Sequence, residues 1–515
     1  MPDEYSGTGN PVAVASAVRE NKSAPLTASG DNSPATPHPV YTKLQERWEK
    51  CRALWDGTPA IREGGTTYLL RFANESDESY EFRKQLVALF NAYQRTVNAA
   101  VGMLLETEPD LGDDMPLQLV NYAEDINLRG HHLSVYAKDI TQDHVIDGLV
   151  ATLVDYPRVE DPGKTSPDDE KRNNLRPYFV KYTRSDTLKV MYGKVGGVRV
   201  KTLVVFREVL EELEGNFGVN EITEYLVFRR SQADGITWER WRDEETGSAT
   251  RTEGPSRMLG TSRIPVSLFG EFDALPPLEN LADLNIEHHN LKTNHRNLEM
   301  LAFVPTQVRI GASKDPETNE YPEIELGPRG TIEAPYIEGL QRPLYWHSPD
   351  VSVLEPGERS IQDVKDDMGS AGMAFLAPDK RVAETAEAKR IDAAAQNANL
   401  STVGRRLQDH LEECFAFAAE MIKEVGGSVT VNTEFEESPL TAGEMAQYLA
   451  AFINGAISQE TFIEAWKRGK RLDESLDVAG EVRKVLSQNA RQLEDEPTPA
   501  DEVGDGDREE QDAAA

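Results

Sequence analysis

Cysteine is nearly absent from this chain. Its 515 residues contain only Cys51 and Cys414, too few and too far apart for a disulfide framework or a cysteine-rich zinc site, and both read as ordinary buried or half-buried thiols. Long apolar runs are missing too. No stretch approaches the roughly 18 consecutive apolar residues of a membrane span, and the first residues lack the charged-then-apolar pattern of a secretory signal. The expectation is a cytosolic origin with no membrane partner. Cations are scarce: 55 Lys and Arg stand against 89 Asp and Glu, a net charge of −34. That excludes a protein gripping nucleic acid over its whole surface, because phosphate neutralisation needs clustered Lys and Arg. It leaves open one that lets DNA slide past. Part of the acidity is local, since residues 494–512 carry ten carboxylates against Arg508 alone and read as a solvated tail.

What is present is enough chain for several cores, with about three domains as the prior from length. Residues 1 to about 40, rich in Ser, Thr, Pro, Gly and Ala, are expected to be disordered. From 78 to 105, Leu86, Leu89, Phe90, Tyr93, Val97, Val101 and Leu104 recur at helical steps and predict one helix face. A second helix is expected near 131–145. It leads into "VIDGLVATLVDYP", whose continuous apolar character after Gly148 predicts a buried strand, and an acidic, Pro-containing loop follows at 157–175. Between 176 and 270 the pattern is that of strands. "VRVKTLVVF" alternates Val198, Val200, Thr202, Val204 and Phe206, while "EYLVFRR" and "ITWERW" flank the hairpin dipeptide Asp234-Gly235. Residues 41 to about 275 thus read as one α+β domain.

Beyond Pro276-Pro277 a helix is predicted to about 303, with Leu281, Leu284, His288, Leu291, His295, Leu298 and Ala302 on a narrow seam of the kind helices use to pack along one another. Short β-like pieces, "TQVRIGA", "PEIEL" and "TIEAPYI", fall within 304–350. A shorter helix precedes "APDKRVAETAEAKR" (377–390), and a long helix of roughly 60 Å runs from about 383 to 425. Val403, Leu407, Leu411, Cys414, Ala418, Ile422 and Val425 form its stripe, and Gly426-Gly427 are expected to stop it. Two short amphipathic helices are predicted within 438–485. No internal repeat is found.

Several motifs invite chemistry. "DPGKTSP" (161–167) resembles a phosphate loop, yet Arg158 stands where the first glycine is needed and Pro167-Asp168-Asp169 follow where a helix should begin. An exposed loop is expected. His288 and His295 lie two turns apart, too far to chelate one ion from a single helix, and read as histidines of a helix interface, the alternative being a pH-sensitive subunit contact. Asp363, Asp366 and Asp367 with Glu358 read as a solvated helix face rather than a metal or acid–base cluster, for no nucleophile, base and oxyanion donor accompany them. Trp238 and Trp241 beside Arg240 resemble a stacking platform for bases, but within a strand such residues usually pack across a sheet. No metal, cofactor or catalytic residue is expected.

The order of elements, with "GLVATLVDYP" (148–157), "RPYFVKY" (176–182), "PPLENLADLNIEHHNLKTNHRNLEMLAFVPTQVRIG" (276–311) and "TAEAKRIDAAAQNANLSTVGRRLQDHLEECFAFAAE" (385–420), resembles the portal proteins of tailed bacteriophages, in a subgroup catalogued as a phage family of unknown function. The resemblance covers roughly residues 41 to 480. It implies a portal-like α+β fold: a disordered segment 1–40, a wing at 41–275, stem helices at 276–303 and 356–376, and a small β-rich clip at 304–355. A tunnel loop at 377–383, a long wing helix at 384–427, a helical crown at 428–487 and a disordered acidic tail at 488–515 complete it.

The function so implied is not enzymatic. It is a homo-oligomeric ring of about twelve copies at the capsid vertex of a virion assembled in the host cytoplasm, through which double-stranded DNA is packaged and ejected. Its partners would be the terminase large subunit, head–tail adaptors, and the major capsid and scaffolding proteins. Pro378, Asp379, Lys380 and Arg381 would form the loop nearest DNA, with the two cations giving a thin positive ring, unless they are merely exposed loop charges. Asp363, Asp366 and Asp367 would be acidic groups facing the channel, Leu281, Leu284, His288, Leu291, His295 and Leu298 the stem-helix interface, and Arg309, Lys314, Glu325 and Arg329 clip residues for docking. The alternatives are another head–tail connector or minor capsid protein and, from a different class, a nucleotide hydrolase at 148–170.

Overall fold

The computed structural model describes residues 27–28, 30–157, 174–231, 235–244, 248–258, 260–303, 306–311, 331–334, 344–347, 352, 354–372, 386–433, 442–454, 456–468, 477–478 and 480–484. They form mixed helix and sheet, as α+β requires. After a two-residue strand β1 (Thr27–Ala28) comes helix α1 (Pro39–Asp56), with Pro39 at its first position and the His38 imidazole accepting from the Val40 amide at 3.1 Å. Both features satisfy or remove amides that a helix start leaves orphaned. Helix α2 (Thr58–Glu63) follows.

The periodic run at 78–105 is not one helix but two, α3 (Asp77–Gln85) and α4 (Ala92–Leu104). Ser76 caps the first and Asn91 the second, the Asn91 side chain accepting from the Gln94 amide at 2.8 Å. Tyr93, Val97, Val101 and Leu104 are buried as expected, whereas Leu86, Leu89 and Phe90 belong to the half-buried link. A short strand β2 (Asp110–Leu111), helix α5 (Leu117–Tyr122) and helix α6 (Leu133–Asp147) lead to strand β3 (Val150–Asp155). Gly148 ends α6 at φ 80°, and a Cβ there would lie 2.7 Å from the Leu275 carbonyl. Only glycine suits both demands.

Seven further strands are β4 (Tyr178–Tyr182), β5 (Thr187–Val195), β6 (Val198–Glu214), β7 (Gly218–Ser231), β8 (Gly235–Glu244), β9 (Ser248–Arg257) and β10 (Val266–Phe269). They build a six-stranded sheet in the order β1-β9-β8-β7-β6-β5 and a three-stranded one, β10-β3-β4. Tyr182 of the small sheet stacks on Phe206 of the large one at 3.9 Å. Strand β3 is buried along its whole length because its faces serve different cores. Ala151 and Leu153 join the sheet core, while Val150 and Val154 pack with α6. The alternation expected in "VRVKTLVVF" gives way to consecutive burial of Val204, Val205 and Phe206, and Val198 is exposed. Trp238 and Trp241, an odd three positions apart on β8, occupy opposite faces of the sheet; both are buried, and the base-stacking reading is withdrawn. Arg240 between them is buried against Glu208 (3.1 Å) and Glu224 (3.0 Å).

Helix α7 (Glu279–Phe303), strands β11 (Thr306–Ile310), β12 (Thr331–Ala334) and β13 (Leu344–His347), helix α8 (Leu354–Ala371), the long helix α9 (Ala386–Ile422) and a short strand β14 (Val429–Thr430) complete this part of the chain. The second half of α9 is buried nearly all round, with Leu407, Leu411, Cys414, Phe415 and Phe417 against α6 and the small sheet, while Val425 is exposed. Its stop is not the glycine pair. Lys423 turns left-handed at φ 62° and the Glu424 amide reaches back to the Ala419 carbonyl at 2.9 Å, a closure of Schellman type. Gly427 instead permits close packing, since a Cβ there would come within 2.5 Å of the Met115 Cα. A second unit, Glu436–Ala515, contains helices α10 (Ala442–Ile453) and α11 (Gln459–Arg468), where Phe452 stacks on Phe462 at 4.9 Å. The predicted loop at 157–175 lies outside the described residues over 158–173.

A second largely interior ion pair joins α3 to the segment before it. Arg83 of α3, 1% exposed, grips Glu75 through two hydrogen bonds of 2.8 and 2.9 Å and also donates to the Asn294 side chain and the Leu70 carbonyl. That contact with Arg83 holds the Glu75 carboxyl below its ordinary value. Removing either partner strands a buried charge. Arg83→Met and Glu75→Gln should each lower unfolding free energy by about 3–5 kcal/mol in chemical denaturation, with the double variant losing less than the sum.

Candidate functional site

Helices α7 and α8 lie along each other, with the β11–β13 insertion between them in sequence. Three asparagines fix α7 to the helices before it. The Asn285 side chain accepts from the Tyr93 amide (3.0 Å) and donates to the Phe90 carbonyl (3.0 Å), occupying backbone groups exposed by the α3–α4 break. Asn290 accepts from the Leu70 amide (2.9 Å) and donates to the Tyr68 carbonyl (2.7 Å), and Asn294 receives Arg83. Periodicity of apolar residues does not reveal these amides, although five asparagines on one helix, three of them used here, are a visible signal.

Of the expected seam, Leu281 and His288 are buried, and Leu284, Leu291, His295 and Leu298 are half-buried. The more buried neighbours are the polar residues Asn285, His289 and Thr293. His288 packs beside Phe90 of its own chain, ring centroids 5.4 Å apart. Helix α8 turns Val364 and Met368 inward and leaves Asp363, Asp366 and Asp367 exposed. With Glu355 and Glu358 it carries five carboxylates against Arg359 and Lys365. The helix ends at Ala371 rather than 376, with 373–376 outside the described residues.

In the insertion, β11 is the central strand, parallel to β12 and antiparallel to β13. Val308 is buried and Arg309 exposed, while Phe303 at the end of α7 and Trp346 on β13 are 74% and 63% exposed. The "PEIEL" segment, Lys314, Glu325 and Arg329 lie outside the described residues, as do Pro378, Asp379, Lys380 and Arg381 and the "DPGKTSP" segment. The sequence pattern marks pieces at β11 and β12 but none at β13.

A serine–histidine contact also occurs. Ser267 Oγ lies 2.9 Å from His410 Nδ1, and His410 Nε2 lies 2.9 Å from Thr152 Oγ1, which contacts the Tyr136 hydroxyl at 2.8 Å. These side chains are buried, and burial pushes the His410 imidazole down to about 3. A base so weak at neutral pH cannot activate a hydroxyl, so this network is read as structural.

Residues 277–422, from just before α7 to the end of α9, match a family described as a domain of unknown function (DUF4055). No curated protein matches the chain. Among solved structures, one from the virion of a native gene transfer agent particle is similar at 11% identity and TM-score 0.32, covering 79% of this chain and 98% of the other. Another, from the neck of an empty gene transfer agent particle computed with C6 symmetry, is similar at 13% identity and TM-score 0.32, covering 73% and 89%. Likeness at this level identifies neither a role nor a partner.

The buried histidines make a pH prediction. Burial pushes His144, His288 and His289 down to about 4 and His410 to about 3. As pH falls below the ordinary value of about 6.5, the unfolded chain takes up protons that the folded chain refuses. Stability is therefore full above that value and declines toward pH 4, each histidine contributing a slope of about 1.4 kcal/mol per pH unit. Asp147, pushed by burial up to about 6, gains a proton in the folded chain over part of this range and offsets one of them. Denaturation midpoints should fall between pH 6.5 and 4.5, and His144→Asn, which keeps a donor for the Phe269 carbonyl, should flatten the slope by about one proton.

Proposed function

We propose that this chain is a structural subunit of a phage head or neck, and specifically a portal subunit that closes with about eleven other copies into a ring around passing double-stranded DNA. The observation carrying this reading is the order helix, β-rich insertion, helix, long helix, found on the segments that carry the sequence resemblance. α7, the three-strand insertion, α8 and α9 would then be stem, clip, stem and wing helix, with α10 and α11 in the crown. Two physical features agree with it. Phe303 and Trp346 stand in water on the single chain, as expected of residues that neighbours or docking proteins cover. The carboxylates of α8 would repel a phosphate backbone rather than hold it, so DNA would pass a wall like this with little adhesion.

On this reading the chain makes and breaks no bond. Lys380 and Arg381 would be the cations nearest the DNA, and the terminase and head–tail adaptors would meet the insertion. A connector or minor capsid protein is the nearer alternative; a nucleotide hydrolase is the more distant one.

Negative-stain microscopy and native mass measurement of the purified full chain test the proposal. Rings of about twelve copies by family resemblance are expected, and uniformly monomeric, ringless particles under assembly conditions would overturn it. Lys380→Ala/Arg381→Ala should leave ring assembly intact and lower DNA retention in filled particles several-fold. ATP hydrolysis that disappears in Lys164→Ala would establish the hydrolase instead.

A further inference from the structure

His295 and Glu299 are one turn apart on α7, and their side chains meet Glu358 from the first turns of α8. The ligand-capable atoms of the three lie within 4.8 Å of one another. The tautomer of His295 is fixed by its surroundings: Nε2 sits 3.0 Å from the Leu354 carbonyl, which can only accept, so this nitrogen carries the proton. On a neutral imidazole the other nitrogen, Nδ1, then presents a lone pair. Facing it at 3.3 Å is Glu299 Oε1, another acceptor. Two acceptors do not face each other at this distance without a proton or a cation between them.

A shared cation accounts for the arrangement. Two ligands each about 2.0–2.1 Å from a zinc ion, at a tetrahedral angle, stand roughly 3.3–3.4 Å apart, the separation observed. A backbone carbonyl receiving the opposite N–H is also how metal-bound histidines are commonly oriented. Gly357 lets α8 close on the ring, for a Cβ there would come within 2.6 Å of His295 Cδ2. The second Glu299 oxygen is held by Arg296 at 2.7 Å, leaving Oε1 for the ion. Glu358 is exposed, so its side chain can swing inward, and water can fill a remaining position.

We propose that His295 Nδ1, Glu299 and Glu358 form a site for a divalent transition ion of the Zn²⁺ type, which joins α7 to α8 beside the insertion. One nitrogen and two carboxylate ligands suit zinc better than Mg²⁺ or Ca²⁺, which take oxygen ligands. The ion would neutralise part of the acidic face and fix the helix pair where the chain departs into β11 and returns from β13. The inference is independent of the ring proposal, because it concerns contacts within one chain.

The test is isothermal titration of the full chain, stripped with chelator, with ZnCl₂, together with Co²⁺ as a spectroscopic probe. One equivalent per chain and the visible absorption of low-symmetry Co²⁺ bound to nitrogen and oxygen are expected. Glu358→Gln, at an exposed position that should not affect folding, and His295→Asn should each weaken zinc binding by at least about tenfold, or about 1.4 kcal/mol. Asp363→Asn, an exposed carboxylate on the same helix, should not. Absence of stoichiometric binding, or affinity unchanged in both Glu358→Gln and His295→Asn, would overturn the site.

Discussion

The need to satisfy backbone amides and carbonyls inside the protein governs how α7 is placed. Where the chain leaves α3 and enters α4, the Tyr93 amide has no helical partner and the Phe90 carbonyl has only the Ala92 amide within the link. An unmade hydrogen bond at such a place costs about 1–3 kcal/mol. Asn285 meets both groups at once, Asn290 does the same for Tyr68 and Leu70, and Asn294 completes the shell of Arg83. Apolar packing alone would let α7 slide or rotate over its neighbours. These directional contacts give it one register, and α8 inherits that register by packing Val364 and Met368 toward it.

The same economy recurs in the strand region. Strand β3 is the common wall of two cores, so its alternate residues are both apolar, and the small sheet is fixed to the large one through Tyr182 on Phe206. Some charges that enter this interior come in sets. Arg240 reaches Glu208 and Glu224, and the Tyr182 hydroxyl donates to Glu208, so that the stacked tyrosine also helps satisfy a buried carboxylate. Such groups add little net stability compared with apolar residues of similar volume, but they penalise any strand register that separates them.

Much of this was legible in the sequence where one physical signal dominated. The run after Gly148 announced a strand covered on both faces, and the positions of α7 and of the second half of α9 followed from apolar spacing. The errors came where two signals competed. Leu86, Leu89 and Phe90 kept a helical rhythm across the α3–α4 break because they are half-buried in a link, and only the capping capacity of Asn91 marked the boundary. Gly426-Gly427 looked like a helix stop, yet Lys423 closes α9 and Gly427 accommodates Met115. In the candidate site the sequence reading sought a second histidine for His295, whereas a carboxylate one turn away and another from a different helix stand beside it. A long-range partner has no periodic signature.

Charge sets the final constraint on the proposed assembly. Copies bearing a net charge of −34 repel one another, and mobile ions reduce this repulsion only beyond about 8 Å at physiological ionic strength. A ring must therefore be held by short-range contacts that exceed the repulsion where subunits touch. Exposed apolar residues such as Phe303 and Trp346 can supply attraction of this kind, since apolar burial is insensitive to the sign of distant charge. The carboxylates of α8 do best where no neighbour approaches closely, so that they face water. In the proposed assembly, contacts between subunits would therefore be apolar and charge would face water, whereas compact clustering of the same chains would bring like charges together.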